Sequence, residues 1–158
     1  MTAIARWHGQ TGFFEIWFLV VFVPARRRAW WLRYTTWAPA IGPPRATVWA
    51  AVFDGDAPAL VRKTIHLVTD YSALPNGGAR IGTNQVGPGT ASGRLGDLAW
   101  DVAFDAVPPR QGPAWLHRLP APTRVEHLAQ SAPIRGWVER RGLREELEDA
   151  HVVAKHLW

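Results

Sequence analysis

The most regular pattern in the chain is an alternation of apolar and acidic side chains from residue 97 to residue 106. Apolar side chains occupy every second position, namely Leu98, Trp100, Val102, Phe104 and Ala106. The positions between them include Asp97, Asp101 and Asp105. A period of two with charges on one side is typical of a strand that buries its other face. This segment therefore predicts a sheet with one solvated face.

Other segments are rich in aromatic and β-branched residues and end at proline, glycine or aspartate. They cover residues 12–23, 29–39, 46–56, 60–70 and 134–141. Each has the composition and length of a strand. A five-residue loop separates the first two segments. We therefore expect a hairpin, and we consider the register in which odd positions of one strand face odd positions of the other.

The remaining stretches give weaker signals. Residues 72–96 hold seven glycines and two prolines, which predicts a loop-like stretch with a short strand at 79–84. Residues 108–122 hold five prolines and predict an ordered connector. Apolar residues of the tail, 143–158, have helical spacing, so the pattern leaves helix and strand open there.

Many short strands joined by glycine- and proline-rich turns favour an all-β fold, an antiparallel sandwich or barrel. At 158 residues the chain is long enough for one domain spanning 1–158. Its hydrophobic content of 47% and charged content of 20% are those of a globular protein rather than a disordered one.

Tryptophan is unusually abundant, with ten residues in the chain. Indole is bulky and carries an N–H that needs a partner when buried, whereas an ordinary core packs more easily with Leu, Ile and Val. The excess favours walls that enclose an apolar ligand. The candidate wall residues are Trp17, Trp31, Trp37, Trp49 and Trp100. Because Trp30 and Trp31 are adjacent, they must point to opposite faces, and one of them is expected to lie against a second layer.

Charge and cysteine content narrow the function classes. The net charge is +5, and only Lys63 and Lys155 among the 18 basic residues are lysines. Arginine binds phosphates and carboxylates, so a barrel that binds nucleic acid through Arg26–Arg28 and exposed indoles is an alternative. A GC-rich genome, which encodes Arg in place of Lys, explains the excess of arginine more simply. The chain has no cysteine, which excludes disulfides and thiolate metal sites and fits a cytoplasmic location.

Metal, cofactor and membrane signals are weak. The six histidines are scattered without metal-ligand spacing, so we expect no metal and no cofactor. The apolar run of residues 12–23 is shorter than the roughly 20 residues of a spanning helix, so no membrane span is expected.

One charged group falls among the indoles of the predicted hairpin. With odd positions paired, Glu15 and Trp17 share a face with Trp31, Arg33 and Trp37. A buried charge must be paired, so Glu15 and Arg33 are expected to meet. The pair then either fixes strand register or provides a catalytic acid, Glu15, on a cavity wall. His66 and Asp70 are weaker candidates.

The strand sequences resemble a known family. The segments that carry the resemblance are EIWFLVVFVPARRRAWWLRYTTWAP, ATVWAAVFD and GRLGDLAWDVAF. They are similar to the N-terminal half of the lipocalin-like family that includes AttH-like proteins, carotenoid hydratases of the hydroxyneurosporene synthase type and, more distantly, tocopherol cyclases. The ending AHVVAKHLW resembles a segment with a His-x-Trp-Gly motif, here His156 and Trp158, and the glycine is absent.

The resemblance implies a calycin-like or lipocalin-like barrel or half-barrel, with 143–158 extended rather than helical. Family members are typically longer, with two calycin-like β-domains, so the chain is either a fragment or a single-domain variant. The implied ligand is a bulky isoprenoid or polyketide, contacted by residues including His156 and Trp158. The implied chemistry, as in a hydratase or cyclase, is protonation of a double bond followed by attack of water or a hydroxyl.

A lone half would expose sheet edges, which implies a partner domain or a homo-oligomer. An incomplete half-barrel without independent activity is therefore the other alternative.

Overall fold

The computed structural model describes residues 4–107 and 123–158, which form an antiparallel sheet curled into a nearly closed barrel. Its strands are β1 (Phe13–Val23), β2 (Arg28–Ala38), β3 (Arg45–Asp54), β4 (Leu60–Leu67), β5 (Tyr71–Ala73), β6 (Ala79–Ile81), β7 (Asn84–Val86), β8 (Thr90–Leu95), β9 (Leu98–Phe104), β10 (Val125–Arg140), β11 (Leu143–Glu146) and β12 (His151–Leu157). Single 3-10 turns follow β1 (Pro24–Arg26) and β4 (Val68–Asp70).

The strands follow one another around the barrel in the order β4-β3-β2-β1-β12-β10-β9-β8-β7-β6-β5, and β11 pairs with β10 outside this path. Pairing β1 with β12 brings the two ends of the described chain side by side. Strand β4 also contacts β8 across the opening, so the barrel is nearly closed. Within the described ranges, β4 and β5 each keep one free edge.

Large aromatic side chains fill the barrel interior. Trp17, Trp30, Tyr34 and Trp100 are fully buried in one continuous apolar cluster. The indole N–H of Trp100 donates to the Tyr34 hydroxyl at 2.8 Å, and that hydroxyl donates to the Ser92 carbonyl at 3.2 Å. These bonds connect β2, β8 and β9 through the core. Trp17 and Trp100 therefore lie inside the barrel, where they pack against other side chains, and their predicted role as walls of a ligand site stays a prediction.

Most predicted strands are present. The alternating segment forms β9, with Asp101 and Asp105 exposed as expected, whereas Asp97 is paired with Arg62. The tail is extended, as the family resemblance implied, and forms β11 and β12. The prediction of a loop-like stretch at 72–96 is wrong, because β5 to β8 run through it, but the short strand predicted at 79–84 is present in part as β6. The predicted connector at 108–122 lies outside the described residues.

Glycines explain how short strands fit into the stretch that looked like a loop. Gly82 has a φ of 59° at the β6–β7 turn, and Gly96 has a φ of 57° at the β8–β9 turn. Two-residue hairpin turns need positive φ, which glycine adopts without steric cost. The glycine content therefore marks tight hairpins rather than irregular loops.

The odd–odd register considered for the first hairpin is wrong. Val23 pairs with Arg28 around a four-residue turn, in which Arg27 has a φ of 50°. Glu15 consequently lies opposite Thr36, and odd positions of β1 share a face with even positions of β2. A change of one residue in the turn moves the whole strand to the opposite face.

The register has direct consequences for the predicted wall residues. Trp30 points into the barrel and is 1% exposed, while Trp31 points outward, so the prediction that these neighbours face opposite ways is confirmed. The prediction that Trp31, Trp37 and Trp49 line the interior is wrong. They lie on the outer face of β2 and β3, with Arg33.

Candidate functional site

A buried hydrogen bond between a glutamate and a histidine joins the first long strand to the last. Glu15 lies near the start of β1 and His156 near the end of β12, and the two strands are antiparallel neighbours. The Nε2 atom of His156 is 2.6 Å from Oε1 of Glu15. Glu15 is 1% exposed and His156 is 0% exposed. Groups of this kind are costly to bury unless they are paired and hydrogen-bonded, and this pair is both.

The carboxylate of Glu15 also binds the N-terminal segment, residues 4–10. The backbone N–H of Arg6 donates to Oε1 at 2.7 Å, and that of Trp7 donates to Oε2 at 3.1 Å. With the His156 ring, three N–H groups converge on one carboxylate. A carboxylate that accepts from an imidazole in this way orients the ring and its tautomer, as in catalytic dyads.

Aromatic rings anchor the same segment beside the pair. The Trp7 ring packs edge-on against Tyr71 at 5.2 Å, and the Arg6 guanidinium lies 4.8 Å from the Trp158 ring centroid. Burial and the negative charge of Glu15 raise the pKa of the Tyr71 hydroxyl well above its ordinary value. Residues 4–10 thus cover the Glu15–His156 pair at this end of the barrel.

Two indoles enclose the His156 ring. The Trp17 ring stacks on it with centroids 3.7 Å apart and planes 14° apart. The Trp158 ring is tilted against it at 4.7 Å. Aromatic faces attract cations, and two such faces lie directly against this ring.

Several buried polar atoms around His156 have no hydrogen-bond partner among the described residues. They are Nδ1 of His156, Nε1 of Trp17 and Oε2 of Glu126. His156 Nδ1 and Glu126 Oε2 are 3.7 Å apart, so they face each other without bonding directly. Unsatisfied buried polar atoms are uncommon in folded proteins, so each of these atoms needs a hydrogen-bond partner from outside the described residues.

The structure corrects the predicted pairing of Glu15 with Arg33. The partner of Glu15 is His156, and Arg33 donates from Nε to Oγ1 of Thr35 at 3.0 Å on the outer face. Of the predicted residues, Glu15, Trp17, His156 and Trp158 come together in one site. The family motif alone indicated His156 and Trp158.

The prediction missed Glu126 and Tyr71. Glu126 lies directly opposite His156 in the pairing of β10 with β12. Residues 123–133 show no regular alternation because register shifts interrupt β10 after His127 and after Gln130. Tyr71 lies in the stretch interpreted as loop. A regular period of two, the only signal available, is absent from both segments.

His66, Asp70 and the arginines of the turn after β1 interact with nearby side chains. His66 Nδ1 and Asp70 Oδ2 are 3.0 Å apart at the rim of an open groove. In the basic turn, Arg26 and Arg28 both pair with Glu145. Their charges are therefore partly neutralised, which weakens the nucleic-acid alternative.

Residues 4–107 and 123–158 meet the requirements neither of a metal site nor of a membrane-spanning helix. That part of the chain contains no group of three side chains placed to hold a metal ion. It also contains no helix with the length and apolar character needed to span a membrane.

Comparison with known proteins gives relatives that are longer than this chain. No family model matches. An uncharacterized protein of Mycobacterium tuberculosis, found in two strains, is 30% identical over 105 residues, which cover 65% of this chain and 31% of the relative. The matched region is thus about a third of that relative.

A solved structure matches almost the whole chain. The crystal structure of a Nitrosomonas europaea protein assigned as AttH superposes with a TM-score of 0.60 at 11% identity. The match covers 92% of this chain and 51% of that protein. The chain therefore has the all-β, lipocalin-like barrel fold of about half of an AttH protein.

Proposed function

We propose that this chain binds a bulky apolar molecule of the isoprenoid or polyketide class at the barrel end formed by Trp17, His156 and Trp158. The observation that carries the proposal is the His156 ring, enclosed by two indoles and bonded to a buried carboxylate. Indole faces supply apolar contact, and the unsatisfied atoms Trp17 Nε1 and His156 Nδ1 supply polar contacts for a ligand hydroxyl.

Access to this site requires movement of residues 4–10. The barrel interior is filled by packed side chains, so the ligand binds at the end of the barrel and not along its axis. The segment is held by two backbone hydrogen bonds to Glu15 and by ring contacts of Arg6 and Trp7. An apolar ligand replaces these ring contacts with its own contacts to Trp158 and Tyr71.

The chemistry that fits this site is proton transfer to a carbon–carbon double bond, as in a hydratase or cyclase. Protonated His156 donates a proton from Nδ1 to one alkene carbon, and the indole faces stabilise the cation that forms. Water or a ligand hydroxyl attacks the cation and gives its proton to Glu126, from which it returns to His156. Glu15 is a positioning residue in this scheme, and His156 takes the role of proton donor that the sequence suggested for Glu15.

Binding is tested by quenching of tryptophan fluorescence with all-trans-retinol, an apolar polyene alcohol. The Trp158→Ala variant should bind about tenfold more weakly, because it loses a large apolar contact. Trp137→Ala is the matched control, since Trp137 lies on β10 under Arg144 and outside the site. The absence of saturable quenching, or equal losses in both variants, would contradict the proposal.

The reaction is tested separately by incubating geranylgeraniol with the protein in deuterated water. Protonation at carbon places deuterium in the product, which mass spectrometry detects. We expect incorporation to stop in His156→Gln and to slow in Glu15→Gln, with retinol binding weakened but still saturable in both, because the indole contacts remain. His127→Gln is the control, since His127 is exposed on the same strand as Glu126. Incorporation that is unaffected by His156→Gln would exclude His156 as the proton donor.

The alternative is that the chain is the ligand-binding half of a longer protein and has no catalytic activity without the other half. It is favoured by the coverage of the relatives, since the match spans 51% of the AttH protein. It predicts retinol binding without deuterium incorporation. A partner domain or second copy that covers the free edges of β4 and β5 stays a prediction.

A further inference from the structure

The outer face of β12, β1, β2, β3 and β4 carries an alternating row of cations and aromatic rings. The row contains one residue from each strand, and each lies directly opposite the next. In strand order these residues are Lys155, Phe18, Arg33, Trp49 and Lys63. Neighbouring strands are about 4.8 Å apart, so the row crosses about 19 Å of sheet. We call the outward-pointing side chains of these five strands the aromatic–cationic face.

The cations of this row contact rings and not carboxylates. Lys63 Nζ lies 4.4 Å from the Trp49 ring centroid, and Lys155 Nζ lies 5.8 Å from the Phe18 ring centroid. None of the three cations forms an ion pair with a carboxylate among the described residues. Residues 1–3 and 108–122 contain no Asp or Glu in their sequence. The outward positions of the five strands also contain none, so every formal charge on the face is positive.

Apolar side chains flank the row on both sides and are well exposed. Leu67 is 72% exposed, Ile65 57%, Trp37 50% and Val61 44%. A patch of exposed apolar side chains around unpaired cations is unusual on a free protein surface and marks an interaction site. The partner must satisfy apolar groups and positive charges at the same time.

From this arrangement we infer that the aromatic–cationic face binds the surface of an anionic lipid bilayer. Trp and Lys or Arg are the residues that occupy the water–lipid interface, where rings and aliphatic stems enter the acyl boundary and charges meet phosphates. Anionic headgroups supply the negative charges that this face lacks. Apolar polyenes dissolve in bilayers, so this surface would bring the chain to the ligand of the proposed function, but the inference does not depend on that function.

Two other partners fit the face less well. A protein partner would bury the central cations, although the centres of protein interfaces are depleted in lysine. A single-stranded nucleic acid needs free ring faces for base stacking. Here Lys63 already covers Trp49, and Arg33 lies 5.9 Å from the Trp31 ring centroid. The flanking aliphatic side chains also offer nothing to a phosphate backbone.

The test is co-sedimentation of the full chain with vesicles. We expect binding to phosphatidylcholine vesicles that contain phosphatidylglycerol, little binding to phosphatidylcholine alone, and weakening with added salt. Lys63→Glu combined with Lys155→Glu should weaken binding at least about tenfold, since each cation near an anionic surface contributes measurably. Arg135→Glu combined with Arg144→Glu, which reverses two exposed cations on β10 and β11 outside the face, is the matched control.

A second pair of variants tests the apolar part of the face. Leu67→Ser should weaken vesicle binding, whereas Leu143→Ser, which removes an equally exposed leucine on β11, should not. The inference is overturned if phosphatidylglycerol vesicles do not bind the chain, or if face and control variants behave alike. It is also overturned if ultracentrifugation shows a dimer that the face variants dissociate, or if single-stranded RNA binds the face in preference to vesicles. Retinol quenching is measured on the same variants, so failure of this inference is distinguishable from failure of the proposed function.

Discussion

The Nε2 atom of His156 lies 2.6 Å from Oε1 of Glu15, and this contact joins two residues separated by most of the chain. It also fixes residues 4–10, because Arg6 and Trp7 donate to the same carboxylate. One interaction thus connects β1, β12 and the N-terminal segment. Its loss should affect the stability of the barrel as well as the proposed chemistry.

We expect Glu15→Ala to lower the free energy of unfolding by about 3–5 kcal/mol, because it leaves His156 and two backbone N–H groups buried without their acceptor. Urea unfolding monitored by circular dichroism measures the change. Asp101→Ala, which removes an exposed carboxylate on β9, should change the free energy of unfolding by less than about 0.5 kcal/mol. A loss below about 1 kcal/mol in Glu15→Ala would mean that the pair is not a structural contact.

The adjacent tryptophans of β2 test the register directly. Trp30→Ala should lower the free energy of unfolding by about 3–5 kcal/mol because it opens a large cavity in the core. Trp31→Ala should cost less than half as much, since Trp31 lies on the outer face. Urea unfolding of the two variants is compared at the same temperature. Equal losses, or a larger loss in Trp31→Ala, would indicate the opposite register.

The polar contact in the core is tested by Tyr34→Phe. Removing the hydroxyl leaves the Trp100 indole N–H, which now donates to it at 2.8 Å, buried without an acceptor. The expected loss is about 1–3 kcal/mol of unfolding free energy. Intrinsic fluorescence during urea unfolding reports this change, because the environment of Trp100 changes too. An unchanged unfolding midpoint would show that the hydrogen bond does not stabilise the core.

Asp54 should make stability depend on pH in the acidic range. Hydrogen bonds from Arg28 and Arg140 hold the pKa of Asp54 below its ordinary value of 3.8. Its contribution to stability is therefore present above pH 3.8 and is lost as the pH falls through the lowered pKa. Asp54→Asn should have a lower free energy of unfolding than the parent protein at neutral pH. The difference between the two should become smaller as the pH falls.

The comparison for Asp54 is Asp56→Asn, since Asp56 is almost fully exposed and its nearest cation atom, on Arg27, is 3.8 Å away. Urea unfolding at a series of pH values should show that the difference in unfolding free energy between Asp56→Asn and the parent protein does not change with pH. A gap for Asp54→Asn that stays constant from neutral to acid pH would contradict the assignment.

The sequence identified strands better than it identified their faces. The period of two in β9 and the aromatic runs of β1 and β2 are local signals, and the corresponding strands are present. The register of the first hairpin depends on Arg27 adopting positive φ, which the sequence does not signal. Because of that single turn, Trp31, Arg33 and Trp37 lie on the outer face of the sheet. Glu15 and Arg33 are therefore on opposite faces and cannot form the expected pair.

The candidate site was predictable only in part. The position of Glu15 among apolar residues indicated a buried charge that needs a partner. Its partner, His156, is 141 residues away, and only the pairing of β1 with β12 brings the two together. Glu126 reaches the site through a strand with two register shifts, which hide any regular pattern. Contacts of this kind depend on topology and not on local sequence.

The most direct test of the proposed ligand site is nuclear magnetic resonance of the indole N–H groups, with the tryptophans labelled with nitrogen-15. Addition of all-trans-retinol should shift the signals of Trp7, Trp17 and Trp158, because these rings surround the Glu15–His156 pair. The signals of Trp31 and Trp49, on the outer face, should stay in place. Shifts confined to Trp31 and Trp49, or no shifts at saturating retinol, would contradict a ligand site at this end of the barrel.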